Sequence, residues 1–176
     1  MKRNFLLVLV IAITTASCNS QARPSYELAA LTENEVTVSI YLDKNIDGEY
    51  FLSATFTPPD GYHLYSKDIP ITGVDGLGRP TLLELTAESQ MKSLGELIES
   101  VNAEIPNFEP KELLVYPPGT VTLSLPVELP QGDGWLQGVV KVTYMACSGG
   151  GCKAPVTGKL VPIRIPGVDL FGLHGR

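Results

Sequence analysis

The segment VTVSIYL at residues 36–42 alternates apolar residues with polar or amphipathic ones, and the segment YFLSATF at residues 50–56 repeats an extended pattern. Turn-forming residues, DKNIDG, separate the two at positions 43–48. Alternation with a period of two is typical of a strand with one buried face, and Asn, Asp and Gly between two such runs favour a turn. The sequence therefore predicts a β-hairpin here.

Further segments with a strand-like pattern follow, most of them bounded by Pro or Gly. They lie at residues 81–87, 112–116, 121–129, 136–145 and 159–165. Short strands punctuated in this way predict a mainly β domain, and we expect an immunoglobulin-like antiparallel β-sandwich, with a β-barrel as the alternative. The immunoglobulin Cys-Trp-Cys spacing is absent, because Cys147 and Cys152 share one turn and Trp135 precedes both.

Residues 89–103 carry a mixed signal. Apolar residues fall near helical spacing there, but Gly95 interrupts them and the surrounding chain is β. We predict extended structure or a loop for this segment.

The segment IPNFEP at residues 105–110 has a proline on each side of Phe108. Prolines at both ends restrict the backbone and predict a loop. Phe108 is then either an ordinary core residue or an aromatic side chain with a role in that loop.

The N-terminus has the parts of a secretory signal: basic residues at 1–3, an apolar run at 5–13 and small residues before Cys18. The run is shorter than the roughly 20 residues of a membrane-spanning helix. TASC at 15–18 resembles a bacterial lipobox, although Thr15 stands where Leu is usual, and ordinary cleavage nearby is the alternative. We predict a signal peptide over 1–17, a lipidated N-terminus and polar tether over 18–27, and one domain over 28–176.

The net charge of −6 argues against nucleic acid as a partner. Binding to a phosphate backbone depends on clustered Lys and Arg, which this acidic chain does not show. The many glycines and prolines, together with 44% hydrophobic residues, fit a turn-rich folded domain.

The segment YMACSGGGCKAP at residues 144–155 places two cysteines around three glycines. With Cys18 assigned to lipid, Cys147 and Cys152 remain as an even pair in an oxidising compartment. A ring this small stabilises a fold by only about 2 kcal/mol. The glycines leave the sulfurs without neighbouring bulk, which suits thiol exchange. A local structural disulfide in an exported domain remains the alternative.

A metal site is the weaker interpretation of the same residues. The soft ligands Cys147, Cys152, His63, Met145 and His174 would suit copper, but the histidines lack ligand spacing and Met145 fits the core better. Neither a Ser-His-Asp order nor a phosphate-binding glycine motif can be assembled. We expect no metal and no organic cofactor, only a redox-active disulfide.

Three segments resemble the N-terminal periplasmic domain of the DsbD family of thiol:disulfide interchange proteins. They are GYHLYSK at 61–67, the stretch 108–116 leading into VTLSLPV at 121–127, and VTYMAC at 142–147 followed by Cys152 and Pro155. In order, they span most of the mature chain. The cysteine segment, with its aromatic lead-in and trailing Cys-x-x-Pro, is the specific part.

The resemblance implies an immunoglobulin-like sandwich with an inserted redox-active cysteine loop and a cap loop. It implies that Cys152 is the thiol that exchanges with partner proteins and Cys147 its resolving partner. His63 and Tyr65 would lie beside the cysteines, and Phe108 would shield the disulfide until a partner displaces it. In the better-studied members acidic residues precede the cap aromatic; here Pro106 and Asn107 do, so Glu104 or Glu109 would have to substitute.

The resemblance also implies a cellular location and partner proteins. Its domain is usually joined to a transmembrane section and a thioredoxin-like domain, and this chain ends at Arg176 without either. We therefore expect a lipid-anchored protein at the inner or outer membrane of a Gram-negative bacterium, facing the periplasm. It would be a protein-disulfide reductase that receives electrons from a DsbD-like membrane protein and passes them to periplasmic thioredoxin-fold or other disulfide-bearing proteins. The alternative is a non-catalytic binding or assembly lipoprotein whose disulfide is structural.

Each neighbour of the cysteines can be interpreted either as taking part in the thiol chemistry or as an ordinary packing or surface residue. Lys153 can favour the Cys152 thiolate electrostatically, or it can be a solvated surface lysine. His63 can do the same when protonated, or donate to a sulfur, or be merely partly buried. Tyr65 and Tyr144 are better explained as packing residues. Because no helix N-terminus is predicted at the cysteines, we expect mild thiol activation.

Overall fold

The computed structural model describes residues 25–173 and consists of strands joined by turns, with one short helix near its end. The elements are β1 Ser25–Glu33, β2 Val36–Lys44, β3 Tyr50–Thr57, β4 His63–Leu64, β5 Leu82–Leu85, β6 Lys92–Ser93, β7 Ile98–Glu99, β8 Val121–Glu128, β9 Trp135–Tyr144, β10 Ala146–Ser148, β11 Gly151–Cys152, β12 Val156–Pro166 and α1 Val168–Leu173. Over these residues the structure contains no helix with the length and apolar character needed to cross a membrane.

The strands form three antiparallel sheets. The large sheet has the order β1-β2-β3-β8-β6, and β7 also pairs with β8. The small sheet has the order β12-β9-β5, and the third, called here the site sheet, has the order β11-β10-β4. Because β9 ends at Tyr144 and β10 begins at Ala146, the site sheet follows directly from the central strand of the small sheet.

The large and small sheets pack face to face around one apolar core. The alternation that predicts β2 turns Val38 and Ile40 inward, where both are fully buried. Burial of an aliphatic side chain contributes about 1.5–3 kcal/mol, so this row is a main source of stability. Its principal members from the two sheets are Val36, Val38, Ile40, Leu42, Leu52, Ala54, Phe56, Val121, Leu123 and Val127 on one side and Leu83, Val140, Val142, Val161, Ile163 and Ile165 on the other. The molecule is a mainly β, antiparallel sandwich.

Most of the predicted strands are confirmed, including the hairpin of β2 and β3, in which Val38 pairs with Phe56 and Lys44 with Tyr50. The prediction for residues 89–103 is also confirmed, since this segment is a loop interrupted only by the two-residue strands β6 and β7. Strand β1 and helix α1 were not predicted from the sequence. Residues 25–27, assigned to the tether, belong to β1.

The prediction of a strand at 112–116 is wrong. The amide of Leu113 donates to the carbonyl of Pro110, and the amide of Leu114 donates to the carbonyl of Glu112. These local turns use the donors that a strand would offer to its neighbour, so only Val115 forms a bridge, to Glu104 and to Tyr65.

The predicted signal peptide, the lipid attachment at Cys18 and the first part of the tether lie outside the described residues, as does His174.

Candidate functional site

Cys147 and Cys152 form a disulfide across a tight hairpin. Cys147 in β10 is directly opposite Cys152 in β11, and the pair is bonded, with 4.0 Å between the Cα atoms. Gly151 has φ +133°, which L side chains rarely adopt, so the turn requires glycine there. A Cβ added to Gly149 or Gly151 would meet no atom within 4 Å. The glycines therefore leave open space beside the disulfide.

The two cysteines differ in exposure. Cys147 is 2% exposed and packs with Tyr65, Ile69 and Leu113 in a small apolar cluster, whereas Cys152 is exposed. An incoming sulfur must approach along the axis of the disulfide, so access decides which sulfur is attacked. Cys152 is the sulfur that a second protein can reach.

His63 lies on the other side of Cys147. In the site sheet, Cys147 pairs with His63 of β4 and Ala146 pairs with Leu64. Residues opposite one another in a sheet project from the same face. His63, Cys147 and Cys152 therefore form a row across three strands, with the buried cysteine in the middle, as the resemblance predicts for His63.

Phe108 lies against His63, at one end of this row. Its ring stacks on His63 with 6.0 Å between ring centroids, and His63 meets Tyr65 edge to face at 5.4 Å. Phe108 is 37% exposed, so it is not a core residue. These three rings and both cysteines line a cavity of about 340 Å³. The structure thus brings Phe108, His63 and Tyr65 to the disulfide.

The Nε2 atom of His63 is buried and has no hydrogen-bond partner among residues 25–173. Burial lowers the pKa of His63 below its ordinary value of 6.5, because it disfavours the charged form. A buried polar atom without a partner costs free energy, on the order of 1–3 kcal/mol. The imidazole is therefore held neutral beside the disulfide with a nitrogen available.

Tyr65 is fixed from the backbone. It is 4% exposed, and its carbonyl accepts hydrogen bonds from the Thr81 amide at 3.2 Å and the Thr81 hydroxyl at 2.8 Å. Gly78 lies so close to the Tyr65 ring that an added Cβ would be 3.1 Å from it. Burial raises the pKa of Tyr65, so the phenol stays neutral. Its position agrees with a packing role.

Lys153 contacts two partners. Its ammonium donates to Glu35 Oε1 at 2.6 Å and lies 5.0 Å from the centroid of the Tyr62 ring. Asn34 next to Glu35 donates from Nδ2 to the carbonyl of Ala154 at 2.9 Å. The turn between β1 and β2 thus holds the two residues that follow Cys152. Sequence reasoning missed Asn34 and Glu35, because neither carries a local signal for contacts more than 110 residues away.

The two candidate acids, Glu104 just before the cap segment (residues 105–110) and Glu109 within it, are placed differently. Glu109 lines the cavity and lies 3.6 Å from the ammonium of Lys111. Glu104 pairs through its backbone with Val115 and is not part of the cavity lining. Of the two, Glu109 is the one near the disulfide.

Nothing in the described range forms a group of three or more His, Cys, Asp or Glu side chains that could hold a metal ion. The one helix between residues 25 and 173, α1, packs on Tyr26 and Tyr50 through Phe171 and contributes nothing to the cavity. Within residues 25–173, no helix N-terminus therefore lies at either cysteine. The chemistry available here is that of a disulfide, an imidazole and two aromatic rings.

Comparisons of the chain with models of protein families, with curated proteins and with solved structures found no match.

Proposed function

We propose that the chain is a thiol-disulfide exchange protein that works through Cys147 and Cys152. One observation carries the proposal: the disulfide joins an exposed sulfur to a buried one at a cavity. A structural staple has no need of this asymmetry. An exchange site uses this difference in exposure, because the exposed sulfur reacts with the partner and the buried sulfur afterwards resolves the mixed disulfide.

In the reducing direction, the Cys152 thiolate attacks a partner disulfide and forms a mixed disulfide, and one partner sulfur leaves as a thiolate. Cys147 then loses its proton and attacks the Cys152 sulfur. The bond between Cys152 and the partner breaks, and its electron pair leaves on the second partner sulfur. Two thiols of this protein are oxidised to a disulfide, one partner disulfide is reduced to two thiols, and two protons pass to the partner.

The cap segment would control entry to this site. Phe108 stacks on His63 and lines the cavity, yet more than a third of its side chain is exposed. A side chain that is this exposed and belongs to neither apolar cluster can be displaced at small cost. The proposal assigns Phe108 the role of a cover that a docking partner moves aside.

The partners follow from the resemblance to the DsbD domain. A DsbD-like membrane protein would supply electrons, and periplasmic thioredoxin-fold proteins or other disulfide-bearing proteins would accept them. Lipid on Cys18 would hold the domain at a membrane of the periplasm. The immunoglobulin type of the sandwich belongs to the same proposal.

A trapping experiment tests the exchange function. The reduced Cys147→Ala variant, made without its signal peptide, is mixed with an oxidised thioredoxin-fold protein and quenched with acid. We expect a mixed disulfide through Cys152 in the quenched sample, because Cys147 is missing and acid protonates the thiolate that the partner releases, which would otherwise reverse the step. The matched Cys152→Ala variant leaves only the buried thiol and should trap little. If neither variant traps a partner, and the wild-type disulfide resists reduced thioredoxin, the disulfide is a structural staple in a binding or assembly protein.

A further inference from the structure

The order of His63, Cys147 and Cys152 across the three strands determines which cysteine the imidazole can deprotonate. This inference rests on the proposed exchange function. Neighbouring strands lie about 4.8 Å apart, so His63 is one strand from Cys147 and two strands from Cys152. An imidazole in this place can serve the buried cysteine directly. It cannot serve the exposed cysteine in the same way.

The buried cysteine, Cys147, is also the one whose deprotonation requires a base within the site. Cys152 can lose its proton to solvent, since it is exposed. Cys147 is 2% exposed and lies in an apolar cluster, which disfavours its thiolate and restricts access of water as a base. A thiol at this position requires a proton acceptor inside the site.

We infer that His63 is the proton acceptor for Cys147, and that its Nε2 atom takes the thiol proton when Cys147 attacks the mixed disulfide. Nε2 finds no partner within the described residues while the cysteines are bonded to each other. Opening the disulfide gives Cys147 a thiol hydrogen on the same face of the site sheet. The thiol of the reduced protein thus offers Nε2 the donor that the oxidised protein withholds.

The proton balance of this step closes. His63 Nε2 takes the proton of Cys147, the Cys147 sulfur forms the bond to Cys152, and the bond between Cys152 and the partner breaks. The partner sulfur leaves with the electron pair, and the imidazolium returns the proton to it. His63 ends the cycle neutral, as its burial favours.

The other charged groups around His63 already have hydrogen-bond or ion-pair partners, and the one tyrosine named here stays neutral. Arg79 donates to the carbonyls of Thr72 at 2.8 Å and Gly76 at 3.1 Å, and Glu109 of the cap segment lies beside Lys111. Tyr65, the residue that follows β4, stays a neutral phenol, because burial raises its pKa. Lys153, beyond Cys152, donates to Glu35.

The test separates the two exchange steps with 5,5′-dithiobis(2-nitrobenzoate) as the disulfide. Reduced protein releases one coloured thiolate when Cys152 attacks and a second when Cys147 resolves. The second phase is intramolecular, so its rate does not depend on reagent concentration. The coloured thiolate needs no proton to leave, which isolates proton removal from Cys147.

We expect His63→Phe, which keeps a ring under Phe108, to leave the first phase unchanged and to slow the second about 100-fold near neutral pH. The wild-type second phase should be flat above pH 6.5, whereas that of His63→Phe should rise about tenfold per pH unit, with the thiolate fraction. Tyr65→Phe is the matched control and should keep the wild-type profile. His63→Gln, which retains a polar side chain, serves as the second variant if the phenylalanine disturbs the fold.

Equal second-phase rates and pH profiles in wild type and both His63 variants would overturn the assignment of His63 while leaving exchange intact. If the Cys147→Ala variant traps no oxidised thioredoxin-fold protein, and the wild-type disulfide resists reduced thioredoxin, the proposed function itself is removed instead. The two failures are therefore distinguishable.

Discussion

Lys153 Nζ lies 2.6 Å from Glu35 Oε1, so the residue after the exposed cysteine is paired with a carboxylate from the first hairpin turn. Asn34 and Glu35 both have positive φ, 51° and 63°, which is the conformation of a tight hairpin turn. This turn approaches the cysteine hairpin only because the sandwich brings β1 beside β12. The pair balances the positive charge of the residue that follows Cys152.

Glu35→Gln should increase the reactivity of Cys152. Without the carboxylate, the charge of Lys153 is no longer balanced, and an uncompensated ammonium near a thiol favours the thiolate. The rate of alkylation by iodoacetamide, followed against pH in the Cys147→Ala background, should show a lower thiol pKa. The double variant Glu35→Gln/Lys153→Gln, which removes both charges of the pair, is the control and should react like the parent. A Glu35→Gln profile that coincides with the parent would show that the pair does not act on Cys152.

Phe108→Ala should make the disulfide easier to reduce by small thiols. Removal of the ring opens the cavity beside the disulfide, while stability changes little because Phe108 is 37% exposed and outside the core. The rate of reduction by dithiothreitol measures the effect, and we expect an increase of several-fold. Ile105→Ala, in the same segment and 71% exposed, is the matched control. Identical rates for both variants would contradict the role of Phe108 as a cover.

The oxidised protein should lose stability as the pH falls below 6.5. Burial lowers the pKa of His63 in the folded state, so between that lowered value and 6.5 the unfolded chain binds more protons than the folded one. Stability therefore rises with pH across this window. Urea unfolding of wild type and His63→Phe at a series of pH values measures the difference between them. His174 is present in both proteins and cancels in that difference. A difference independent of pH would mean that His63 has its ordinary pKa.

Gly151→Ala should destabilise the oxidised hairpin by about 1–3 kcal/mol, because an L side chain at φ +133° is strained even though its Cβ would meet no atom. Gly149→Ala is the matched control, with equal open space and no such φ. Chemical denaturation of both variants, with the disulfide intact, measures the cost. Equal stabilities would show that the turn has another conformation in solution.

The fold could be predicted where local pattern and burial agree. Alternation predicted β2 and β3 because one face of each enters the core, and Pro on both sides of Phe108 predicted its loop. Strand β1 was missed because neither of its faces is fully buried, so its sequence, SYELAALTE, shows no clean alternation. Residues 112–116 have a strand-like composition, but local turns use the amide groups of Leu113 and Leu114.

The candidate site could be predicted only in part. The cysteine pair and its glycines form one continuous segment, and the resemblance supplied His63, Tyr65 and Phe108, which do line the cavity. The stacking of Phe108 on His63 and the contacts of Glu35 with Lys153 join segments far apart in the chain. Such contacts depend on how the sheets pack, which no local pattern encodes.

The reduction potential of the Cys147–Cys152 disulfide distinguishes exchange from stapling most directly. The protein without its signal peptide is equilibrated in glutathione redox buffers, quenched with acid, and the reduced and oxidised fractions are separated after alkylation. Structural disulfides of exported proteins have potentials below about −300 mV, and exchange disulfides have higher ones. We predict a potential above about −300 mV, within reach of reduced thioredoxin. A potential below that value would contradict the exchange function and leave the disulfide as a structural staple.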